Sequence, residues 1–540
     1  MASADQPHPG PEETAPADAV SSIRWWPLRA IIAVVVALVS LLQLAPGEAL
    51  PEQFRNFGSI VLVAAGIVAL FVWLVLFSRI PVRARAITAA IYLVVLAIPF
   101  AVVRRVEFTG DIVPDPVFRW DPEPLEILQQ HRRQVREETS PETSGPDLAA
   151  DFPAFRGEDR LGIYRGPAIR TNWESEPPKL VWRQPVGEGY AQFALSGNTA
   201  VTIEQRGPDE AIVAYDARDG RERWVHAYPA RFSEAMGGDG PRATPTIDGD
   251  RVYSLGAKGH LKCLKLASGD VVWETNILAD PEANLEWGMA GSPLVLDDVV
   301  IVNPGMPQAA AKGSLVAYDK QTGKVEWKVG DATAAYASPQ YAELAGVPQI
   351  LTLEGAAVVS YAADGSAELW RYPWSTANGI NCSQPLPVGD DRVLITAGYV
   401  MGSALLEIAR DDEKGWSAEP LWEEASLRGK FATPIVVDDV VFGLDEGILV
   451  CVDLETGKRL WKRGRYGHGQ MLLAGDVLFI QCENGDMALV AADPKKYREL
   501  ARIPVFEERT WNTPALAAGR AFIRNHREMA CFDLRESPEE

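Results

Sequence analysis

The stretch RYGHGQ (465–470) sets an imidazole and an amide among glycines that let main chain approach a neighbour closely, which makes His468 and Gln470 candidates for a binding site. A single imidazole can move a proton or ligate a metal. No other histidine stands at metal-ligand spacing from it, because His226, His260 and His526 are remote in the chain. Asp445 and Glu446, in GLDEG, are an acid pair of the kind that serves general acid–base chemistry, although adjacent turn carboxylates are expected to be solvated. There is no glycine-rich phosphate loop, nucleophile elbow or zinc motif. No residue is assigned a catalytic or metal-binding role on these grounds.

The elements that hold these groups are repeats. AYDARDGRERW (214–224) recurs as KCLKLASGDVVW (262–273), VAYDKQTGKVEW (316–327), VSYAADGSAELW (359–370) and VCVDLETGKRLW (450–461). Weaker copies are LLEIARDDEKGWSAEPLW (405–422) and LVAADPKKYREL (489–500), which ends in Leu500 where Trp is expected. ACFDL (530–534) lacks its Trp, and KLVWRQPVG (179–187) has a Trp without the preceding strand. Trp182, Trp224, Trp273, Trp327, Trp370, Trp422 and Trp461, with Leu500, are thus spaced 39–54 residues apart. A second motif runs in phase: a small residue, Ser/Thr-Pro, and two apolar runs around a turn, as in ATPTIDGDRVYSLG (243–256), GSPLVLDDVVIVNPG (291–305), ATPIVVDDVVFGLDEG (432–447) and NTPALAAGRAFIRN (512–525).

Short alternating strands with this period predict an all-β, eight-bladed β-propeller of four-stranded blades, with seven blades as the fallback. The strand around Trp182 is expected to complete the blade that ends at Asp533, since a ring leaves no open edge only when its last blade pairs with its first. The Asp-Gly steps become turns, and the tryptophans become anchors between blades. Cys263, Cys451 and Cys531 share the slot that holds Ala214 and Ala317 in other copies. With Cys382 and Cys482 they read as small buried residues and not as a disulfide or redox pair.

Propeller ligands sit at a channel mouth, where loops enter the innermost strands. Those positions, two or three before each Ser/Thr-Pro step, are Tyr190, Arg242, Met289, Tyr336, Asn381, Lys430, His468 and Trp511, with Gln470 beside them. Aromatic rings, two cations, an amide and an imidazole would suit an anionic or peptide-like ligand. The alternative is that these residues plug and cap the channel.

The first hundred residues are different. Residues 1–23 read as a disordered tail. Apolar runs at about 29–45, 57–78 and 85–103 within residues 24–105 read as three transmembrane helices. Arg24, Arg29, Arg79, Arg83 and Arg85 flank one side of these spans, and Arg55, Arg104 and Arg105 the other, which places the N-terminus inside and residues 106–540 outside. Residues 106–150 read as a Pro-rich linker with a short helix near 125–137, residues 151–535 as the propeller and 536–540 as a tail. A formal net charge of −21 argues against nucleic acid as a partner.

The AYDKQTGKVEW-type repeats resemble the pyrroloquinoline-quinone (PQQ) repeat, shared by quinoprotein dehydrogenases and BamB-type outer-membrane assembly lipoproteins. DFPAFRGEDRLGIY, RYPWSTANGINCSQPLPVGDDRVLITAGY, DEGILVCVDLETGKRLWKRGRYGHGQ and TWNTPALAAGRAFIRNHREMACFDL resemble PQQ-like propellers as well. The resemblance covers 151–535 and leaves out the membrane helices. It implies, for the enzymes, a vicinal Cys-Cys disulfide, a catalytic Asp and Glu/Asn ligands to calcium. Here the closest cysteines, Cys451 and Cys482, are 31 residues apart, and no Asp matches the catalytic position. The expected function is a membrane-anchored binding or scaffolding module of the bacterial cell envelope, with envelope proteins or peptides as partners and no cofactor. The alternative is an envelope PQQ-dependent dehydrogenase with calcium, which the multi-span layout of membrane glucose dehydrogenases keeps open. A hydrolase or lyase at the mouth ranks third.

Overall fold

The computed structural model describes residues 25–46, 50–137, 148, 151–278, 284–305, 313–376 and 379–536. The tail 1–23, the Ser/Thr/Pro/Glu-rich end of the stretch read as a linker, and residues 537–540 lie outside the described residues. The chain divides into two units: residues 1–105 with 116–119, and residues 106–115 with 120–540.

The first unit is helical. α1 (Trp26–Gln43) has a proline at its start, where the missing N–H has no helical partner to lose. α2 (Glu52–Val72) runs on through a π turn, Trp73–Phe77, and α3 spans Val82–Val102. All three are long and apolar enough to cross a membrane. Neither α1 nor α3 has a buried residue, and each leaves apolar side chains exposed, among them Val34, Leu41, Ile91 and Phe100. Gly66 lets α1 approach α2, since a Cβ there would stand 2.8 Å from Val35.

The second unit is an eight-bladed propeller. Seven blades occupy residues 194–229, 246–276, 294–329, 340–373, 386–424, 435–465 and 470–504, and the eighth joins 515–533 to 179–185. Each runs from an innermost strand of three to five residues to an outer strand, which bears a tryptophan in every blade but the seventh. In the eighth blade Cys531 pairs with Trp182, so the first strand of the ring closes its last sheet and no edge is left open.

The register explains the repeat. Ala214 faces Trp224, Cys263 faces Trp273, Ala317 faces Trp327 and Cys451 faces Trp461, each pair followed by a one-residue bulge. A small residue opposite the indole keeps the strands in register, and this is the slot three of the cysteines fill; all five are free thiols. In the seventh blade Leu489 pairs with Ala501, so Ala501 takes the tryptophan position and Leu500 falls in the bulge. The assignment of Leu500 to that slot is thereby corrected, because the bulge consumes one residue. Tyr497 packs against Trp461 of the blade before, ring centroids 5.8 Å apart.

The indoles reach into the next blade. Trp182, Trp224, Trp273, Trp422 and Trp461 donate their N–H groups to the main-chain oxygens of Ala217, Leu266, Lys320, Leu454 and Asp493 at 2.8–3.2 Å. Trp370 instead binds Gln349 of its own blade at 2.8 Å. The turn glycine of the next blade lies under the ring. A Cβ on Gly323, whose φ is +71°, would stand 2.6 Å from Trp273. The Asp-Gly and Thr-Gly turns are therefore seats for the preceding blade's tryptophan as well as reversals of the chain.

The stretch read as a linker does not stand apart from the propeller. Residues 106–115 and 120–137 belong to its unit. The amphipathic α4 (Pro124–Glu137) sits on the ring through Leu128, which is buried, and through Arg132, whose guanidinium is 3.0 Å from Glu222. His131 is 3.1 Å from Gln184. Leu125 and Leu128, one turn apart on a single face, make that burial favourable.

Candidate functional site

The channel is filled by the lead-in segment of the propeller itself. Asp151–Phe152 adds a strand inside the innermost strand of the first blade, and Ile163–Tyr164 runs parallel to that of the seventh. Between them Arg156 and Arg160 take left-handed conformations, φ +62° and +61°, and both side chains are buried. Arg156 donates to the oxygens of Thr433, Pro434 and Leu161, each at 3.0 Å. Arg160 donates to Pro339 at 2.7 Å and to Ser292 and Pro293. Burial pulls both guanidinium groups down to about 9.

Apart from Leu161, the acceptors belong to the repeated Ser/Thr-Pro steps, and the hydroxyls of those steps have their own use. The hydroxyl oxygen of Thr244 accepts the N–H of Gln192, that of Ser292 the N–H of Thr244, and that of Ser338 the N–H of Ser292, at 2.9–3.0 Å. Thr433 does the same for Gln384 at 3.0 Å. The hydroxyls thus stitch neighbouring blades around the channel while the carbonyls grip the two arginines.

The mouth is occupied by a turn from the stretch before α4. β1 (Val103–Phe108) and β2 (Pro114–Phe118) form a hairpin whose tip belongs to the propeller unit. Thr109 accepts from the N–H of Ile112 at 2.9 Å, which makes Gly110 and Asp111 the centre of a β-turn, and Ile112 follows at φ +57°. Gly110 donates its N–H to Glu483 at 2.6 Å, and its carbonyl accepts from the Lys430 ammonium. The Asp111 carboxylate lies 3.0 Å from Nε2 of His468. Glu107 lies 3.6 Å from both Arg509 and His526 and 3.7 Å from Arg527, and the Phe108 carbonyl accepts from Arg509. A Cβ at Gly110 would fall on the His468 ring.

Of the residues singled out in the sequence, Lys430, His468, Tyr190 and Trp511 converge on this turn. Tyr190 and Trp511 stack at 5.3 Å, Phe431 joins Trp511 at 5.1 Å, and Arg509 lies over Trp511 at 4.3 Å. Arg242 stands behind Tyr190, 5.7 Å over its ring, and donates to the oxygens of Gly237, Gly238 and Gly240. The rest do not converge. Met289 is packed in the core between the second and third blades, and Tyr336 stacks on Trp287 at 5.6 Å. Asn381 gives its amide to Glu354 and Trp374 oxygens, and Gln470 opens an innermost strand and donates weakly to Phe431 at 3.4 Å. Sequence reasoning missed Glu483, Arg509 and His526, and the tip itself. The legible signal for the tip was Thr-Gly-Asp between two short strand-forming runs, VEF and IV.

The expectation that Asp445 and Glu446 are solvated is overturned. Asp445 is fully buried, 2.8 Å from Arg428 and paired also with Lys462, because the turn carrying it packs under the sixth blade's neighbouring loop. Both Glu446 carboxylate oxygens are closed off from solvent without a hydrogen-bond donor, and burial raises the carboxyl above its ordinary value despite His468 and Lys430 nearby. Burial would raise Asp111 too, but the hydrogen bond and charge of His468, with Lys430 and Arg465, bring it below its ordinary value.

Asp111, His468 and Glu483 offer one imidazole nitrogen and two carboxylates within 4.8 Å of one another, a donor set a divalent metal could use. Glu483 however already accepts three N–H groups, from Gly110 at 2.6 Å, Trp511 at 2.8 Å and the His468 main chain at 2.9 Å. Asp111 has its imidazole partner and two cations beside it. The trio works as a hydrogen-bonded ion network that holds the turn.

Eight blades locked by tryptophans, a ring of Ser/Thr-Pro steps and a self-filled channel define a propeller of the PQQ-repeat class. The family model described as outer membrane protein assembly factor BamB matches residues 129–288, 208–463 and 421–539, and the chain belongs to that family. It is 29% identical over 207 residues to the quinohemoprotein alcohol dehydrogenase ADH-IIG of Pseudomonas putida, covering 34% of this chain and 28% of that enzyme. It is 24% identical over 311 residues to the assembly factor BamB of Shewanella oneidensis, covering 56% of this chain and 65% of that protein. The chain thus spans under a third of the dehydrogenase and just under two thirds of the assembly factor. The solved quinohemoprotein alcohol dehydrogenase of Comamonas testosteroni shares the fold, with 13% identity, a TM-score of 0.50, and coverage of 77% of this chain and 85% of that one.

Proposed function

We propose that this protein is a membrane-anchored scaffold of the cell envelope that binds other envelope proteins, with its propeller on the outer side of the membrane. Membership of the BamB family supports the reading, as do three apolar helices and the arginine imbalance around them. The observation that carries it is that the converging residues of the mouth hold polypeptide: two carboxylates and the main-chain groups of a turn.

The similarity to quinohemoprotein dehydrogenases raises the alternative of PQQ with calcium. The residues present fit that group poorly. The turn fills the mouth, Glu483 is already engaged by three N–H donors, and the five cysteines are free.

The test is cross-linking of the full-length protein in intact cells, followed by purification. Recovery of defined envelope proteins, lost when the propeller is unfolded, is the expected outcome. If the purified protein instead takes up PQQ with Ca²⁺ and reduces a dye with alcohols, and no partner is recovered, the scaffold reading fails. Reaction of an external impermeant reagent with a cysteine placed at exposed Glu413 checks the orientation; protection in intact spheroplasts would reverse it.

A further inference from the structure

The mouth holds its turn with fittings that belong to no particular partner. Four of its contacts go to main-chain groups or carboxylates: Glu483 to the Gly110 N–H, Lys430 to the Gly110 carbonyl, Arg509 to the Phe108 carbonyl, and His468 to the Asp111 carboxylate. Any turn with a glycine at its second position and acidic residues on either side could supply them. The glycine is required by the His468 ring, which leaves no room for a Cβ.

The resident turn is also an incomplete ligand. Both buried oxygens of Glu446 beside it find no donor, and Nε of Arg509 and of Arg527 find no acceptor. These are groups whose burial without partners is unfavourable. Ile112 takes φ +57° within the hairpin's own hydrogen bonds, its N–H to the Thr109 carbonyl at 2.9 Å and the Thr109 N–H to the Val113 carbonyl at 3.0 Å, so the turn keeps its shape with or without its seat. A site that satisfies its occupant only in part is suited to exchange.

We propose that the channel mouth is a receptor for an acidic, glycine-containing β-turn of another envelope protein, and that Glu107–Asp111 is its resident ligand in cis, displaced when the partner's turn arrives. The inference rests on the scaffold reading and deepens it by naming what the scaffold recognises.

The test uses the full-length protein in detergent micelles and a fluorescein-labelled peptide of sequence RVEFTGDIVPD. The tethered turn competes at an effective concentration in the millimolar range, so wild type should bind the peptide weakly. Gly110→Ala, whose Cβ strikes His468, should release the turn and tighten peptide binding at least about tenfold, the competitor being removed. Lys430→Gln in that background should abolish the gain, and a scrambled peptide should not bind. Because Gly110→Ala could disturb the neighbouring strands, the pair Glu107→Gln and Asp111→Asn serves as a second release variant. The proposal is overturned if released, folded variants bind the peptide no better than wild type, or if the scrambled peptide binds equally. It is overturned too if residues 106–113 stay protected from hydrogen exchange in both variants, since the turn would then be a fixed part of the wall. Peptide binding with no cross-linked partner would sink the scaffold reading alone; partners without peptide binding would sink this inference alone.

Discussion

Replacing Arg156 by methionine should loosen the sixth and seventh blades. The side chain is fully buried and makes three contacts at 3.0 Å, to Thr433, Pro434 and Leu161, with a fourth carbonyl, Met471, at 3.5 Å. Hydrogen bonds to a charged donor contribute about 1.5–3 kcal/mol each, net of water. The lower figure applies here, because no carboxylate bonds the guanidinium and its drop to about 9 records a large cost of burying charge. Three bonds at that figure come to about 4–5 kcal/mol, the amount by which orphaning the carbonyls should destabilise the propeller. For a unit larger than 250 residues, each kcal/mol moves the melting temperature by about 1–2 °C, so a drop of about 4–10 °C is expected by scanning calorimetry of the full-length protein. Arg156→Lys should recover less than half, because one ammonium cannot serve carbonyls spread around a planar fork. Arg165→Ala, an exposed neighbour paired with Asp159, is the control and should change little. A methionine variant melting within 1 °C of wild type would refute the claim that these carbonyl bonds hold the ring from within.

Gly323→Ala should cost about 2–3 kcal/mol, because left-handed strain adds to a collision with Trp273, whereas Gly389→Ala, with φ +62° and open space around it, should cost about 1–2 kcal/mol; equal melting shifts would dismiss the seating role of the turn glycines. Burial pushes the thiols of Cys451 and Cys482 up to about 12, so thiol reagents at pH 8 should modify them only after unfolding, whereas Cys382, read from the sequence as buried, is only half-buried; rapid native labelling of the first two, counted by mass spectrometry, would contradict the packing described. Burial raises Glu354 to about 7, against which Tyr361 and Thr352 act only weakly. Its folded form holds the proton more tightly than its unfolded form, so stability should decline as pH rises from about 4.5 through 7 by up to about 3 kcal/mol, and Glu354→Gln should flatten that part of the pH–melting curve.

The repeat made the scaffold readable. Tryptophans at a period near 45, small residues opposite them and Ser/Thr-Pro steps in phase constrain strand order, closure and even the cysteine slots, because each is dictated by local packing that recurs. Ring positions such as Lys430, His468 and Trp511 follow from the same phase. What phase cannot supply is a partner from outside the repeat. Gly110 lies 320 residues from Lys430 and 373 from Glu483, and Asp111 lies 357 from His468. Arg156 reaches Thr433 across 277 residues. Neither segment carries a periodic signal, so nothing in the phase of the repeat says which side chain from outside it will reach these positions. The solvated reading of Asp445 failed for the same reason: Arg428 and Lys462, which bury it, are both 17 residues away, on the loop before its hairpin and the strand after it.

Two separate devices therefore close the channel, and they differ in kind. The lead-in segment adds strands to the first and seventh blades and grips carbonyls of the third, fourth, sixth and seventh with buried guanidinium groups, so its loss undoes inter-blade contacts directly. The turn at the mouth touches side chains that project from loops, and it adds no strand to any blade. The hydroxyl chain through Thr244, Ser292 and Ser338 and the tryptophan seats are complete without it. Departure of the turn removes a handful of polar contacts and leaves the ring intact. A propeller built this way can exchange the occupant of its mouth while its blades stay locked, which is the property a receptor for another protein's turn requires.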